Sequence, residues 1–483
     1  MRSTMCGRRV PLARARERGF ICRSASVCYF SRRMDTYQIL SDVPRYTEFM
    51  SVAELSASSR ELARRFPKLV TLQAIGTSLE GRPLELLTIG NGPRKALLFG
   101  TPHPNEPIGT LTLEFLSRRL CEDDDLREEL DYTFLIVKCA DPDGTLLNEG
   151  WFKQAFSPLT YALNYYRPPA REQVEWSFPV HYKTLHFTES CPETRALIAV
   201  MEMHRPTFLY SLHNAGFCGT YFYLSRPLPG LLPRLRRVVA SQGLAMHRGE
   251  PEAPFIKAFE PGIYGLFGIQ ERYDYLARNL DEDPAPCLEA GTSSDDYLKT
   301  ISGGYSVVCE VPYYFDPVLE DTSPAGLTRR EAMLQGVFRV DSIYHDVREY
   351  FAIVGRGAPR DRLYRSVDDY VKRAPNQLAA LKHEVEAPQY AREATRAEAF
   401  DSTVCRVFHH MLYLGEVYRL AVASGNEEVT RIVRRRLEEI CSQIENQSTV
   451  QVLPLQKLVA VQVGTGLHAL AAWKEFAGAA TPA

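Results

Sequence analysis

An apolar run, Ala96-Leu-Leu-Phe-Gly100, is broken by Thr101-Pro-His-Pro-Asn-Glu-Pro107, and an amphipathic helical pattern then extends to Leu120. A second apolar run follows at Tyr132-Thr-Phe-Leu-Ile-Val137. Strand, helix and strand in this order imply a crossover, and therefore a largely parallel or mixed sheet. The second run has no polar position after Thr133, as expected of a strand covered on both faces. Ligands in such sheets bind beyond the carboxyl ends of the strands. The residues directly after Gly100 therefore stand where chemistry is expected.

Those residues include His103 and Glu106, an imidazole and a carboxylate three positions apart. They can converge on one ion only if the backbone turns sharply, and Pro104 and Pro107 restrict it to turn-like values. On its own H-x-x-E also suits a surface or capping role. A catalytic zinc needs a third protein ligand and an open position, and Thr207-Phe-Leu-Tyr-Ser-Leu-His-Asn214 offers His213 at the end of another β-like run. An acid, Glu310, lies inside the apolar strand Tyr305-Ser-Val-Val-Cys-Glu-Val311. It suits a general base, because apolar surroundings disfavour ionisation and raise a carboxylate's pKa; the alternative is a strand glutamate paired with an arginine.

With 483 residues, 45% of them hydrophobic, the chain can bury a large core in two domains or in one large domain with an appendage. The formal charge of −2 gives no electrostatic reason to expect nucleic acid or an anionic membrane as partner. No apolar run approaches the roughly 18 residues that span a bilayer. The 11 cysteines show no paired spacing, which fits reduced thiols in a cytoplasm. Residues 1–33 are Arg-rich with one acid, Glu17, and lack the apolar segment of a secretory signal. They read as a disordered extension or as the product of an early start codon, with a transit peptide as the alternative.

Residues 46–66 have helical spacing closed by Pro67, and Val70–Ile75 with Leu84–Ile89 read as a hairpin around Gly76-Thr-Ser-Leu-Glu-Gly-Arg-Pro83. Glu122-Asp-Asp-Asp125 reads as a solvated loop and Ala140-Asp-Pro-Asp-Gly144 as a turn. After residue 325 the pattern is helical throughout. Thr328-Arg-Arg-Glu331 is a capping box, and further helices are expected over 361–372, 377–386, 393–424, 426–443 and 455–473. The expected organisation is thus an extension over 1–33, an α/β domain over 34–325 and a helical region over 326–483 with no leading part in catalysis.

Thr77-Ser-Leu-Glu-Gly-Arg-Pro-Leu84, His103-Pro-Asn-Glu106, Asp141-Pro-Asp-Gly144, Leu212-His-Asn214 and Ser306-Val-Val-Cys-Glu310 occur in the order and rough spacing of zinc carboxypeptidases of the pancreatic A/B type. The chain resembles a divergent member of that family over about residues 45–320. The resemblance implies an α/β fold with an eight-stranded mixed sheet between helices, one zinc ion held by His103, Glu106 and His213, and Glu310 as the catalytic glutamate. The family's Asn-Arg pair, which binds the substrate's terminal carboxylate, has no counterpart in residues 145–200; Glu175-Trp176 stands where that pair is expected. Arg167, in Asn164-Tyr-Tyr-Arg-Pro-Pro169, and Arg171 could each form a bidentate pair with a carboxylate. Arg167 is preferred, with Asn164 beside it, because its ring and proline neighbours suggest an ordered loop. The family's mobile tyrosine is unmatched, its position falling near Cys287. His186, His204 and His409-His410 read as core or surface residues.

The expected activity is zinc-dependent removal of a carboxyl-terminal residue from a peptide, or hydrolysis of a related amide. A zinc amidase or deacylase acting on a small acylated amino acid or cell-wall fragment, and a non-catalytic binding module, are the alternatives.

Overall fold

The computed structural model describes residues 34–249, 251–279 and 281–479. The Arg-rich extension lies outside the described residues. One sheet organises the chain, in the order Val70–Thr77, Pro83–Ile89, Tyr132–Val137, Arg94–Gly100, Phe208–Leu212, Tyr305–Phe315, Tyr221–Leu224, Ile263–Gly265 and Ala258–Glu260. The strand Arg94–Gly100 pairs in parallel with Tyr132–Val137 on one side and Phe208–Leu212 on the other. The resulting mixed sheet has eleven strands where eight were expected. The three additions, Ala258–Glu260, Asn214–Phe217 and Gln451–Val452, are only two to four residues long, too short to show an alternating pattern.

The two apolar runs form adjacent central strands because both of their faces are covered. Ala96, Leu98, Phe134 and Ile136 join one core, and Leu97, Phe99, Leu135 and Val137 join the other. Complete burial of each such Leu, Ile, Val or Phe side chain stabilises the fold by about 1.5–3 kcal/mol. The first face carries the helix Ile108–Glu122 and the last helix, Leu455–Ala479; the second carries Pro192–His204. Leu455–Ala479 is buried nearly all round, from Leu458 to Trp473, as befits a helix enclosed in a large core.

Several local expectations change. Asp123 of the acidic cluster caps a short helix, Asp124–Leu130, by accepting from the Leu126 N–H, so the cluster is a helix start. Asp141 likewise caps Pro142–Asn148, making the Asp-Pro-Asp-Gly turn the first turn of a helix. Residues 361–372 and 377–386 belong to one helix, Arg362–Glu384, which runs through Pro375. Pro375 removes one helical hydrogen bond, but burial of Val367, Tyr370, Ala374 and Leu378 on one face carries the helix across. Between Arg396–Phe400 and Arg406–Ala423 the chain makes a π turn, Asp401–Cys405.

Residues from Met34 onward form one compact unit. Arg362, at the start of a helix after residue 325, is nearly fully buried and donates to Asp143 at 2.7 Å and to Glu80 at 3.1 Å. Asp143 also accepts from Ser78 Oγ, the Glu80 N–H and Arg82. One carboxylate thus ties the Thr77–Pro83 loop, the Asp-Pro-Asp-Gly segment and the C-terminal helices together.

Candidate metal centre and cavity

The ends of two parallel neighbours meet because Gly100 is in register with Leu212. That pairing sets the loop carrying His103 and Glu106 beside His213. The loop closes tightly, with the Glu106 N–H donating to the His103 carbonyl at 3.0 Å. Thr101 is buried with φ 48°; a β-branched residue in the left-handed region costs on the order of 1–3 kcal/mol, a strain found at functional sites. Gly109, at the start of the following helix, approaches this strand end so closely that an added Cβ would lie 2.6 Å from Leu212 Cβ.

His103, Glu106 and His213 are all buried, and one donor atom from each lies within 4.8 Å of the others. His213 Nδ1 is 3.0 Å from Glu106 Oε2, and Arg167 donates to Glu106 Oε1 at 2.9 Å. Behind the cluster, Ser211 Oγ lies 2.9 Å from His213 Nε2 and donates to Glu175 at 2.8 Å. The Gln462 side chain, on the last helix, donates to the His213 carbonyl at 2.6 Å.

Two observations show that this donor set suits a cation. His103 Nδ1 is buried without a hydrogen-bond partner, and burial, then the charges of Arg167 and His213, hold this imidazole neutral, far below the usual histidine range. Burial also pulls on His213, but its hydrogen bonds with Glu106 and Glu175 outweigh it and push its pKa up to about 10. The carboxylates around His213 thus favour positive charge there. Imidazoles and a carboxylate are the ligand types of a catalytic zinc site, and His103, Glu106 and His213, the last on release of its proton, are the residues that would hold it.

Glu310 faces the same cavity of about 550 Å³. Its side chain has no hydrogen bond or ion pair among the described residues, which removes the strand glutamate paired with arginine. Burial, then Glu106 and Glu252, raise its pKa well above the usual carboxylate range against the pull of His213. Of the three residues expected to bind substrate, only Arg167 lines the cavity. Asn164 ends the helix Pro158–Asn164 and turns its amide back to the Thr160 carbonyl. Arg171 sits exposed in the turn Ala170–Glu172. Glu175 is spent on Ser211 and Ser294 behind His213.

The C-terminal helices supply a wall of the cavity that the helical pattern did not reveal. Tyr370 and Arg373 come from Arg362–Glu384, while Arg406, His409, His410 and Tyr413 come from Arg406–Ala423. The helical region, expected to take no leading part in catalysis, thus packs on the α/β part and lines the cavity, and His409 and His410, read as core or surface residues, face that space. A clue was present in the sequence: Arg406 and the paired histidines interrupt an otherwise apolar helix face. Glu416 adds support from the same helix, its buried carboxyl accepting from the Arg167 backbone N–H at 3.0 Å.

Residues 55–229 match the family model described as zinc carboxypeptidase, a span that includes His103, Glu106 and His213 and stops short of Glu310. A carboxypeptidase E from Caenorhabditis elegans is 30% identical over 116 residues, which make up 21% of this chain and 25% of that protein. Among solved structures, a metallo-carboxypeptidase from Burkholderia cenocepacia aligns at 18% identity and a TM-score of 0.34, over 55% of this chain and 60% of that one. Carboxypeptidase A from Helicoverpa armigera aligns at 16% identity and a TM-score of 0.36, over 58% and 70% of the two chains.

Proposed function

We propose that this chain, which carries a zinc carboxypeptidase domain over residues 55–229, removes carboxyl-terminal residues from peptides, with one zinc ion held by His103, Glu106 and His213 and with Glu310 as general base. The observation that carries the reading is the convergence of the three buried donor groups, His103 Nδ1 unpartnered among them, in the cavity that Glu310 faces. When bound, zinc lowers the pKa of water toward neutrality and polarises a carbonyl.

Glu310 takes the proton of the attacking water and returns it to the leaving nitrogen. Burial holds its carboxyl above the ordinary carboxylate range, which favours uptake of a proton. Arg167 stays charged, because Glu106 together with Tyr165, Tyr413 and Glu252 outweighs the cost of burial. Anchored on Glu106, its guanidinium can donate to the carbonyl oxygen as negative charge develops there. The strained Thr101 and the close packing of Gly109 on Leu212 keep the ligands at fixed spacing. No helix among the described residues is long and apolar enough to cross a membrane.

The test is mass spectrometry of a peptide pool, half with free and half with amidated carboxyl ends, incubated with the zinc-loaded protein. The reading expects single residues to be lost from free ends only. Cleavage of small acylated amino acids with both peptide sets untouched would move the assignment to an amidase. Zinc binding without turnover of any substrate would leave a binding module.

A further inference from the structure

The cavity wall made by the C-terminal helices has a composition that packing does not explain. In the helix Arg406–Ala423, Arg406, His409, His410 and Tyr413 share one face by their three- and four-residue spacing and all line the cavity. The neighbouring helix does the same with Tyr370, Arg373 and Gln377. Helices buried against a domain ordinarily turn an apolar stripe inward; here two adjacent helices turn polar and cationic stripes to one space. The Tyr370 and Tyr413 rings stack at 3.9 Å, and Tyr370 Oη lies 3.0 Å from His410 Nδ1, so the two stripes form a single built surface.

This wall adjoins the metal cluster. His409 packs on Gly216, close enough that a Cβ there would lie 2.9 Å from His409 Nε2. Gly216 belongs to Asn214–Phe217, the strand directly after His213, and pairs alongside the residues that follow Glu310.

The cations on the wall are not equivalent. Arg167 is paired with Glu106, and Arg373 with Asp369 at 2.5 Å. The Arg406 guanidinium has no hydrogen-bond or ion-pair partner among the described residues. Asp401 also faces the cavity, yet makes no ion pair with it. Burial lowers the pKa of Arg406, and the attraction of Asp401 does not make up the loss. A half-buried guanidinium that faces a cavity with no hydrogen-bond or ion-pair partner of its own can receive a planar anion through two parallel N–H donors. Arg406 also follows directly on the π turn Asp401–Cys405. Such turns recur at functional sites, because the extra residue re-aims the side chains beyond it.

We propose that Arg406, assisted by Arg373, binds a carboxylate of the substrate, so that the C-terminal helices make the cavity selective for peptides with an acidic side chain or a free carboxyl end. The inference rests on the peptidase reading for its substrate class, and it assigns the anion-binding role to residues well outside the span shared with the zinc carboxypeptidase family.

The test uses the full chain carrying Glu310→Gln, zinc-loaded, to suppress turnover. Fluorescence anisotropy measures binding of N-terminally labelled short peptides ending in Glu or Gln, each as free acid and as amide. The site predicts at least tenfold tighter binding of the peptide with the recognised carboxylate. Comparing free acid with amide, and Glu with Gln, identifies which carboxylate that is. Adding Arg406→Gln abolishes the preference, whereas Arg406→Lys retains part of it, because an ammonium keeps the charge but loses the fork. Arg373→Gln gives a smaller loss. Equal binding of all four peptides by the parent, or a preference that survives Arg406→Gln in a chain with an unchanged melting curve, would overturn the proposal. The peptidase reading fails separately: a zinc-loaded wild-type chain that cleaves no peptide, while its Glu310→Gln form binds acids through Arg406, would refute cleavage and leave the carboxylate site standing.

Discussion

Glu416 offers a sharp test of how the C-terminal helices support the site. Its side chain is fully buried, accepting from the Arg167 backbone N–H at 3.0 Å and from Ser366 Oγ at 2.6 Å. Burial raises its pKa from the ordinary 4.5 to about 8, although those two hydrogen bonds and Arg419 pull the other way. A carboxyl group with a raised folded-state pKa binds its proton more tightly in the folded chain than in the unfolded one. Its contribution to stability is therefore intact below about pH 4.5 and is lost as the pH climbs to about 8. At about 1.36 kcal/mol per pKa unit, the full loss is on the order of 5 kcal/mol. Glu416→Gln keeps the shape and cannot ionise, so it removes this slope. Urea denaturation of both proteins at pH 5 and pH 8.5 measures the effect. Relative to wild type, the variant should gain several kcal/mol between the two conditions. Stability profiles that run parallel across this window, within about 1 kcal/mol, would refute the assignment of Glu416 as a neutral buried acid.

Three other outcomes follow from the packing. Arg362→Ala removes one charged donor from the buried Asp143, which keeps Arg82, Ser78 and the Glu80 N–H, and should destabilise the chain by about 1.5–3 kcal/mol in denaturant titration. Gly109→Ala forces a Cβ to within 2.6 Å of Leu212 Cβ. It should cost about 1–3 kcal/mol of stability and weaken zinc binding measured by calorimetry, because the displaced residue adjoins His213. Zinc at a hundredfold excess over its Kd should add about 2.7 kcal/mol to the unfolding free energy, and that gain should vanish in His103→Ala.

What could be read in the sequence follows the range of the interactions involved. His103, Glu106 and His213 were legible because each ends a run whose apolar character is local, and the prolines around His103 announce the turn. Their convergence depends on the parallel register of Gly100 with Leu212, a long-range pairing that a crossover pattern implies without specifying. Glu310 stood out as the acid in an apolar strand, and the structure leaves it unpaired. Asn164 and Arg171 were misplaced because proximity in sequence to Arg167 says nothing of direction: one turns back into its own helix and the other points to solvent. Arg406 was overlooked, and His409 and His410 were read only as core or surface residues, because a helical repeat does not tell which side meets a cavity, and nothing in Asp401–Cys405 marks the π turn that precedes them.

The most direct measurement takes zinc content and peptide turnover on the same samples of wild type, His103→Ala and Glu310→Gln. The account predicts one zinc per wild-type chain with carboxyl-terminal trimming. It predicts little zinc and no trimming for His103→Ala, and full zinc with turnover reduced by about 10²–10⁴ for Glu310→Gln. Undiminished zinc in His103→Ala, or undiminished turnover in Glu310→Gln, would contradict it.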